Sequence, residues 1–133
     1  MDKIEKTDEQ WREELSPDAY AVLRRQATEP PFTGKYAFEK ATGTYRCAGC
    51  GADVFQSDSK YDSGCGWPSF TEASHPESVE LRPDTTHGMV RTEVVCARCG
   101  GHLGHVFDDG PVEAGGQRFC INSVALELEP DQG

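Results

Sequence analysis

The chain has 133 residues, a length that suits one domain with a modest core. Its formal net charge is -10 and its pI is about 4.7, which argues against a nucleic-acid-binding surface and against a basic patch for anionic membranes. The N-terminal residues MDKIEKTDEQ contain no apolar run, so we expect neither a signal peptide nor a membrane span. We therefore expect a cytoplasmic protein, and its size and polarity favour a monomer.

The N-terminal part of the chain predicts two short helices. Thr7 and Gln10 have the spacing of a capping box at the start of the first helix. Ser16 is a suitable N-cap for the second helix, with Pro17 at its first helical position. We expect one domain in two parts, a helical segment at residues 1–27 and a β domain that carries the site at residues 28–133.

Beyond two consecutive prolines that end the helical part, the chain has the character of turns and strands. Residues 35–47 predict a hairpin, and residues 87–96 and 117–129 have the β-branched, alternating pattern of longer strands. The predicted fold class is therefore mainly β, with helices at the N-terminus.

Four of the six cysteines form two CxxC pairs, each followed by a glycine that allows the chain to turn back under the sulfurs. Two such knuckles can bring four thiolates to one tetrahedral centre, which is the geometry of structural zinc. We therefore predict one structural zinc ion, in a closed site that leaves no coordination position for a substrate. The predicted ligands are Cys47, Cys50, Cys96 and Cys99.

Two other interpretations of the knuckles remain open. One is a CxxC redox pair, although two glycine-followed pairs in one chain fit a metal better. The other replaces one cysteine ligand with His102, because the stretch Cys99-Gly-Gly-His102 also has metal-like spacing. That ligand set would leave one thiol of a well-formed knuckle without a metal bond.

Cys65 and Cys120 stand outside these pairs. The simplest interpretation of either is a small buried hydrophobe. In a strand, however, Arg118, Cys120 and Asn122 would share one face, because side chains alternate. A nearby positive charge lowers a thiol pKa from ~8.5 into the range ~3.5–7.5, which makes a nucleophilic thiolate. The position of Cys120 beside Arg118 therefore predicts a reactive thiol.

Such a thiolate needs an acid for the oxygen that it displaces. His102 and His105 lie three residues apart in the stretch GHLGHVFDDG, and the alternative is that they are structural histidines beside the zinc knuckle. Asp108 and Asp109, in the same stretch, are interpreted as turn residues. Trp67, followed by a proline, is either a rigid aromatic surface for a small apolar group or a core tryptophan.

Five segments, taken in chain order, resemble the B-type methionine sulfoxide reductases, which are specific for the R epimer at sulfur. The segments are EPPFTGKY, YRCAGCGADVF, KYDSGCGWPSF, HGMVRTEVVCARCGGHLGHVFDDGP and RFCINSVAL, and they run from about residue 29 to residue 126. The N-terminal helices match less distinctly. The resemblance implies two antiparallel sheets around a small barrel-like core, with the catalytic cysteine on a central strand.

The resemblance also implies a role for each candidate residue. Cys120 resembles the nucleophile that attacks the sulfoxide sulfur, and Cys65 resembles the resolving cysteine that forms a disulfide with it. The substrate would be methionine-R-sulfoxide, free or in proteins, and thioredoxin would reduce the disulfide. The remaining implied roles are proton donation by His105 with His102 beside it, substrate binding by Trp67 and Phe107, substrate orientation and thiolate tuning by Asn122 and Arg118, and zinc binding by Cys47, Cys50, Cys96 and Cys99.

Two other classes of protein compete with this interpretation. One is a zinc-ribbon-like interaction module, in which Cys65 and Cys120 are inert. The other is a zinc hydrolase or nucleobase deaminase, which requires an open metal position and a nearby acidic base. We rank this second class last.

Overall fold

The computed structural model describes residues 3–131. Residues 1–2 of the predicted helical segment and residues 132–133 of the predicted β domain lie outside the described range. Within that range two α-helices precede nine β-strands, and short 3-10 turns separate several of the strands. The prediction of a mainly β fold with N-terminal helices is confirmed. No helix within residues 3–131 is long and apolar enough to cross a membrane.

Helix α1 spans Asp8–Glu14 and helix α2 spans Pro17–Arg25. Both begin where the sequence predicts. Thr7 and Gln10 form the reciprocal capping box of α1, and the Ser16 hydroxyl caps α2. Both helices bury apolar side chains in the same hydrophobic cluster as the strands.

The strands form two antiparallel sheets. In spatial order, the smaller sheet consists of Asp53–Gln56 (β2), Gly43–Cys47 (β1) and Leu126–Pro130 (β9). The larger sheet consists of Lys60–Tyr61 (β3), Ser69–Phe70 (β4), Arg118–Ile121 (β8), His102–Phe107 (β7), Arg91–Cys96 (β6) and Val79–Asp84 (β5). The two predicted sheets are confirmed. The barrel-like core is not, because both sheets are open and β3 and β5 at the edges of the larger one do not pair with each other.

The predicted hairpin at residues 35–47 is wrong in its first half. Strand β1 begins at Gly43 and pairs with β2 and β9, whereas residues 34–39 form two successive turns. Tyr36 explains the difference, because its buried ring packs into the core and its hydroxyl accepts a hydrogen bond from the backbone N–H of Leu128 on β9. The segment is therefore held as a turn against the smaller sheet.

The predicted strand at residues 117–129 is interrupted. Ser123–Ala125 form a 3-10 turn, closed by a hydrogen bond from Ala125 N to Asn122 O, which carries the chain from β8 in the larger sheet to β9 in the smaller sheet. Strand β6 likewise covers only the second part of the strand predicted at residues 87–96.

The core lies between the two sheets and is rich in aromatic rings. Phe55 on β2 stacks on Phe70 on β4 with ring centroids 4.5 Å apart, and Tyr45 on β1 meets Phe70 edge-on at 5.2 Å. Phe119 on β8 packs against Phe55 at 5.8 Å. Such aromatic pairs contribute about 0.5–1.5 kcal/mol each beyond their buried area. The core therefore anchors β8, the strand that carries Cys120.

Candidate active site and metal centre

Cys120 lies on β8, in the interior of the larger sheet between β4 and β7. Its cross-strand neighbours are Ser69 on β4 and His105 on β7. Along β8, Phe119 and Ile121 are buried in the core and Cys120 alternates with them. The predicted alternation of faces is confirmed, and it places the Cys120 thiol on the side of the strand opposite the core.

Cys65 approaches Cys120 from the loop between β3 and β4. The two Sγ atoms are 3.4 Å apart, and both residues are free thiols. The loop turns sharply here because Gly64 and Gly66, on either side of Cys65, have φ angles of 76° and 94°. The Ser69 hydroxyl also lies 3.3 Å from Cys65 Sγ. The fold therefore brings together the two cysteines that stand outside the CxxC pairs.

The two thiols differ in how readily they ionise. Burial raises the pKa of Cys65, but hydrogen bonds with Ser63, Ser69, the backbone and Cys120 outweigh burial and lower that pKa to about 7. Burial and the neighbouring Cys65 raise the pKa of Cys120, and Arg118 opposes them only in part. In this reduced pair Cys65 therefore ionises more readily than Cys120, whereas the position of Arg118 alone predicts the thiolate at Cys120.

His102 and His105 contact each other on β7, with ring centroids 5.4 Å apart. Residues three apart on a regular strand would face opposite sides, but a β-bulge in the pairing of β6 with β7 changes the alternation between them. Each ring binds a carboxylate: His105 Nε2 lies 2.8 Å from Asp84 Oδ2, and His102 Nδ1 lies 2.7 Å from Glu93 Oε2. The fold thus gives each histidine an acidic partner.

These carboxylates fix the orientation of both rings. Hydrogen bonds from Thr86 and His105 hold the pKa of Asp84 well below its usual range, so Asp84 is ionised and accepts the Nε2–H of His105. Burial lowers the pKa of His102 although Glu93 opposes it, so His102 is neutral. His105 therefore has its Nδ1 available for a substrate.

A cavity of about 230 Å³ opens beside the two sulfurs. The predicted site residues that line it are Cys65, Trp67, His105, Phe107, Arg118, Cys120 and Asn122. His102 lines a neighbouring cavity that shares His105. A larger cavity of about 430 Å³ lies beside α2, and its described lining contains neither cysteine nor histidine. The smaller cavity is therefore the candidate active site.

Asp109 and Phe107 hold the Arg118 side chain in place at the cavity. Its Nε and Nη2 atoms lie 2.8 and 3.1 Å from the two carboxylate oxygens of Asp109, a two-point ion pair. Its guanidinium carbon lies 4.6 Å from the ring centroid of Phe107. Asp109, interpreted from the sequence as a turn residue, therefore fixes the position of Arg118.

Trp67 and Asn122 line the cavity while their polar groups bind the backbone. The indole N–H of Trp67 donates to Glu29 O at 2.9 Å. The amide oxygen of Asn122 accepts from Glu29 N at 3.0 Å, and its amide nitrogen donates to Leu103 O at 3.1 Å. The alternative interpretation of Trp67 as a core residue is not supported, because the ring is half-buried at the cavity wall.

The four knuckle cysteines converge on one point, and all four Sγ atoms lie within 4.8 Å of one another. Cys47 Sγ is 3.7 Å from Cys99 Sγ, and Cys50 Sγ is 3.5 Å from Cys96 Sγ. Tetrahedral zinc with Zn–S bonds of about 2.3 Å requires sulfurs about 3.8 Å apart. The four-cysteine set therefore fits a metal ion of this kind.

The two knuckles have the same local structure. Gly51 and Gly100, which follow them, have φ angles of 79° and 74°, and each donates its N–H to the carbonyl of the first cysteine at 2.8 Å. Because Cys47 ends β1 and Cys96 ends β6, the four-cysteine cluster lies where the two sheets meet. His102 is not part of the cluster, so the ligand set that includes it is not supported.

The chain also contains one H-x-E triplet, His75-Pro76-Glu77, the form found in nucleobase deaminases. Both titratable side chains of the triplet are exposed, at a 3-10 turn before β5. Neither belongs to the four-cysteine cluster. Because four cysteines are available to close a metal site, the hydrolase or deaminase interpretation has no support.

Several residues around the cavity were not identified from the sequence: Glu29, Ser69, Asp84, Glu93 and Asp109. Glu93 carried a usable signal, because it lies in the strand predicted at residues 87–96 and a carboxylate within a strand is costly to bury unless a partner binds it. Asp84 lies in no predicted strand. Ser69 and Glu29 carried none, since their contacts depend on strand pairing and on hydrogen bonds between distant parts of the chain.

The SelR domain family matches residues 15–130 of this chain. The chain is 60% identical over 129 residues to the peptide methionine sulfoxide reductase MsrB of Bradyrhizobium diazoefficiens, and the aligned region covers 97% of this chain and 92% of that protein. It is 59% identical over 125 residues to the protein of the same name from Thiobacillus denitrificans, and the aligned region covers 94% of each protein. It is 54% identical over 129 residues to the protein of the same name from Leifsonia xyli, and the aligned region covers 97% of this chain and 93% of that protein. The chain therefore belongs to the SelR-domain family, the B-type methionine sulfoxide reductases, and is an oxidoreductase.

Proposed function

We propose that the chain reduces the R epimer of methionine sulfoxide to methionine, with Cys120 as the nucleophile and Cys65 as the resolving thiol. The observation that carries this proposal is the 3.4 Å contact between the two sulfurs, beside a cavity that also contains Trp67 and His105. The relatives described above are named as peptide methionine sulfoxide reductases, which supports this substrate class.

In the first step, the Cys120 sulfur attacks the sulfoxide sulfur. A bond then forms between Cys120 Sγ and the sulfoxide oxygen, while the substrate's sulfur–oxygen bond and the transient bond between the two sulfurs break, so that Cys120 becomes a sulfenic acid and methionine leaves. The thiol proton of Cys120 passes to the Cys65 thiolate, which is in contact with it. His105 supplies the balancing proton to the sulfoxide oxygen through Nδ1, while Asp84 stabilises the imidazolium. Neutral His102 supports the His105 ring at its edge.

In the second step, the Cys65 thiol attacks the sulfenic sulfur of Cys120. The sulfur–oxygen bond breaks, a disulfide forms, and the oxygen leaves as water with the thiol proton. A thioredoxin-class dithiol then reduces this disulfide by exchange and becomes a disulfide itself. This cycle consumes two thiol hydrogens for each methionine sulfoxide.

The other cavity residues bind the substrate. Trp67 and Phe107 provide apolar ring surface for the methyl group, and Asn122 and Arg118 orient the sulfoxide. Arg118 also stabilises negative charge on the sulfurs, because Asp109 holds its guanidinium in place. Free and peptide-bound methionine sulfoxide are both proposed substrates, and the epimer preference rests on the family resemblance.

One zinc ion, held by Cys47, Cys50, Cys96 and Cys99, would supply a structural link between the sheets and no catalytic chemistry. We further propose that residues 1–27 pack as a helical segment on a site-bearing β domain at residues 28–133, and that the protein works as a cytoplasmic monomer. These proposals are supported by the shared hydrophobic cluster and by the acidic, polar composition.

The test is to supply each sulfoxide epimer separately, in the same short peptide, with thioredoxin and its reductase. We expect methionine from the R epimer and at most about 1% of that rate from the S epimer, a difference of ~2.7 kcal/mol in barrier. Equal rates with both epimers would contradict the proposed specificity. Absence of product from both epimers would contradict the reductase function.

A further inference from the structure

We propose that Glu29 is a positioning residue for the reductase reaction: it fixes Trp67 and Asn122 in the geometry that binds the substrate. This inference rests on the proposed function, because it assigns to Glu29 the support of two proposed substrate-binding residues. Glu29 lies outside the set of described residues that line the cavity, so it acts through its neighbours and not by touching the substrate.

The backbone of Glu29 joins two walls of the cavity. Its carbonyl oxygen accepts the indole N–H of Trp67 at 2.9 Å, and its own N–H donates to Asn122 Oδ1 at 3.0 Å. The indole N–H is the one polar group of Trp67's side chain, so this hydrogen bond determines which way the ring faces. One peptide segment therefore sets the orientation of both an aromatic wall and an amide wall.

The carboxylate of Glu29 holds that segment in place. Its Oε1 accepts from the backbone N–H of Val124 at 3.0 Å, in the 3-10 turn that directly follows Asn122. A carboxylate that accepts a backbone N–H forms a charge-assisted hydrogen bond, which is stronger than a neutral one. Glu29 thus binds the segment that follows β8 twice, once through its backbone N–H and once through its carboxylate.

Gly34 completes this arrangement. A Cβ atom at Gly34 would overlap both Glu29 Oε2 and Ser123 Oγ, so this position must remain a glycine for the carboxylate to reach the turn. Glu29 Oε2 is buried there. The glycine at position 34 therefore leaves room for the Glu29 side chain. That side chain fixes the segment that links α2 to the cavity.

The first test compares Glu29→Ala with Glu29→Gln, because glutamine keeps an oxygen acceptor for Val124 N. With methionine-R-sulfoxide peptide and dithiothreitol as reductant, we expect Glu29→Ala to lower kcat/KM about 10- to 100-fold, since misplacement of cavity groups by about 1 Å has effects of this size. The loss should come mainly from a higher KM, and Glu29→Gln should return kcat/KM to within about threefold of wild type, a residual ~0.6 kcal/mol.

A second readout separates positioning from a general loss of structure. The chain has two tryptophans, so nitrogen-15 NMR gives two indole N–H signals, and Trp11 serves as an internal reference. In Glu29→Ala we expect the Trp67 indole proton to shift and to exchange with solvent faster, while the Trp11 signal stays in place. Gly34→Ala, which displaces the Glu29 carboxylate without changing it, should produce the same pattern.

A folded Glu29→Ala variant with wild-type KM and an unchanged Trp67 signal would overturn the inference. If Glu29→Ala fails to fold, Glu29→Asp is the deciding variant, because it keeps the charge and shortens the side chain by one methylene. An unchanged KM and Trp67 signal in that variant would equally reject the inference. The proposed function fails in a different way, namely if the wild-type protein yields no methionine.

Discussion

Cys65 Sγ lies 3.4 Å from Cys120 Sγ, and the two thiols come from different elements, a glycine-flanked loop and an interior strand. At this separation a disulfide requires only a small movement of the loop, since bonded sulfurs are about 2 Å apart. The pair is asymmetric, because Cys65 carries the lowered pKa and Cys120 the raised one. The reduced site is therefore prepared both to pass a proton and to close a disulfide.

This asymmetry predicts which thiol is alkylated first. Iodoacetamide reacts with thiolates, and the pKa of Cys65 is lowered to about 7, so labelling of Cys65 should rise with pH, have its midpoint near that pKa and level off about one to two pH units above it. Ser69→Ala removes one hydrogen bond to Cys65 and should move the midpoint to higher pH. Peptide mapping after brief labelling identifies the modified residue. Faster labelling of Cys120 than of Cys65 at pH 7 would contradict this ordering.

Replacing the resolving thiol should separate the two steps. Cys65→Ser removes a neighbour that raises the pKa of Cys120, so Cys120 can still lose its proton and attack. We expect about one methionine per protein and a sulfenic acid that a dimedone probe traps on Cys120. Turnover with thioredoxin should stop, because no disulfide forms within the chain. Cys120→Ser is the matched control and should produce no methionine. Full thioredoxin-dependent turnover by Cys65→Ser would show that another route regenerates Cys120.

Asp84→Asn tests the carboxylate that orients His105. The substitution removes the negative charge that stabilises the imidazolium, so we expect kcat to fall about 100-fold, the lower end of what a general acid contributes. KM should change little, because Asp84 lies outside the described lining of the catalytic cavity. Asp58→Asn, at an exposed position, is the control and should keep wild-type kcat. A wild-type kcat in folded Asp84→Asn would remove Asp84 from the mechanism.

Loss of metal should unfold the protein. A four-cysteine zinc site contributes on the order of 10 kcal/mol to folding, which is comparable to the whole stability of a domain. We therefore expect Cys96→Ser, or prolonged chelation, to abolish both bound zinc and the cooperative thermal transition. Cys65→Ser, a thiol outside the cluster, should keep one zinc per chain. A metal-free chain that still unfolds cooperatively near the wild-type temperature would contradict the structural role.

Local patterns predicted those parts of the fold that local forces determine. The caps at Thr7 and Ser16 need three or four consecutive residues, and both helices begin as expected. The CxxC-Gly knuckles are equally local, and their sulfurs converge. The hairpin before β1 was wrong because Tyr36 is drawn into the core, a tertiary contact that alternation and turn residues do not encode.

The same distinction applies to the site. Alternation along β8 identified the face that Cys120 shares with Arg118, but the sign of the Cys120 pKa shift depends on burial and on Cys65, a residue far away in sequence. His102 and His105 were found as a pair, whereas their carboxylates depend on the register of β5, β6 and β7. Register is set by the assembled sheets, so a single sequence does not reveal it.

The most direct test of the central claim is an intact mass and a peptide map of reduced protein after incubation with excess racemic methionine sulfoxide, without any reductant. We expect one methionine per chain, a mass lower by two hydrogen atoms, a disulfide between Cys65 and Cys120, and zinc still bound. If both thiols remained free and no methionine appeared, the reductase mechanism would be contradicted, and a zinc-containing interaction module would be the better description of this site.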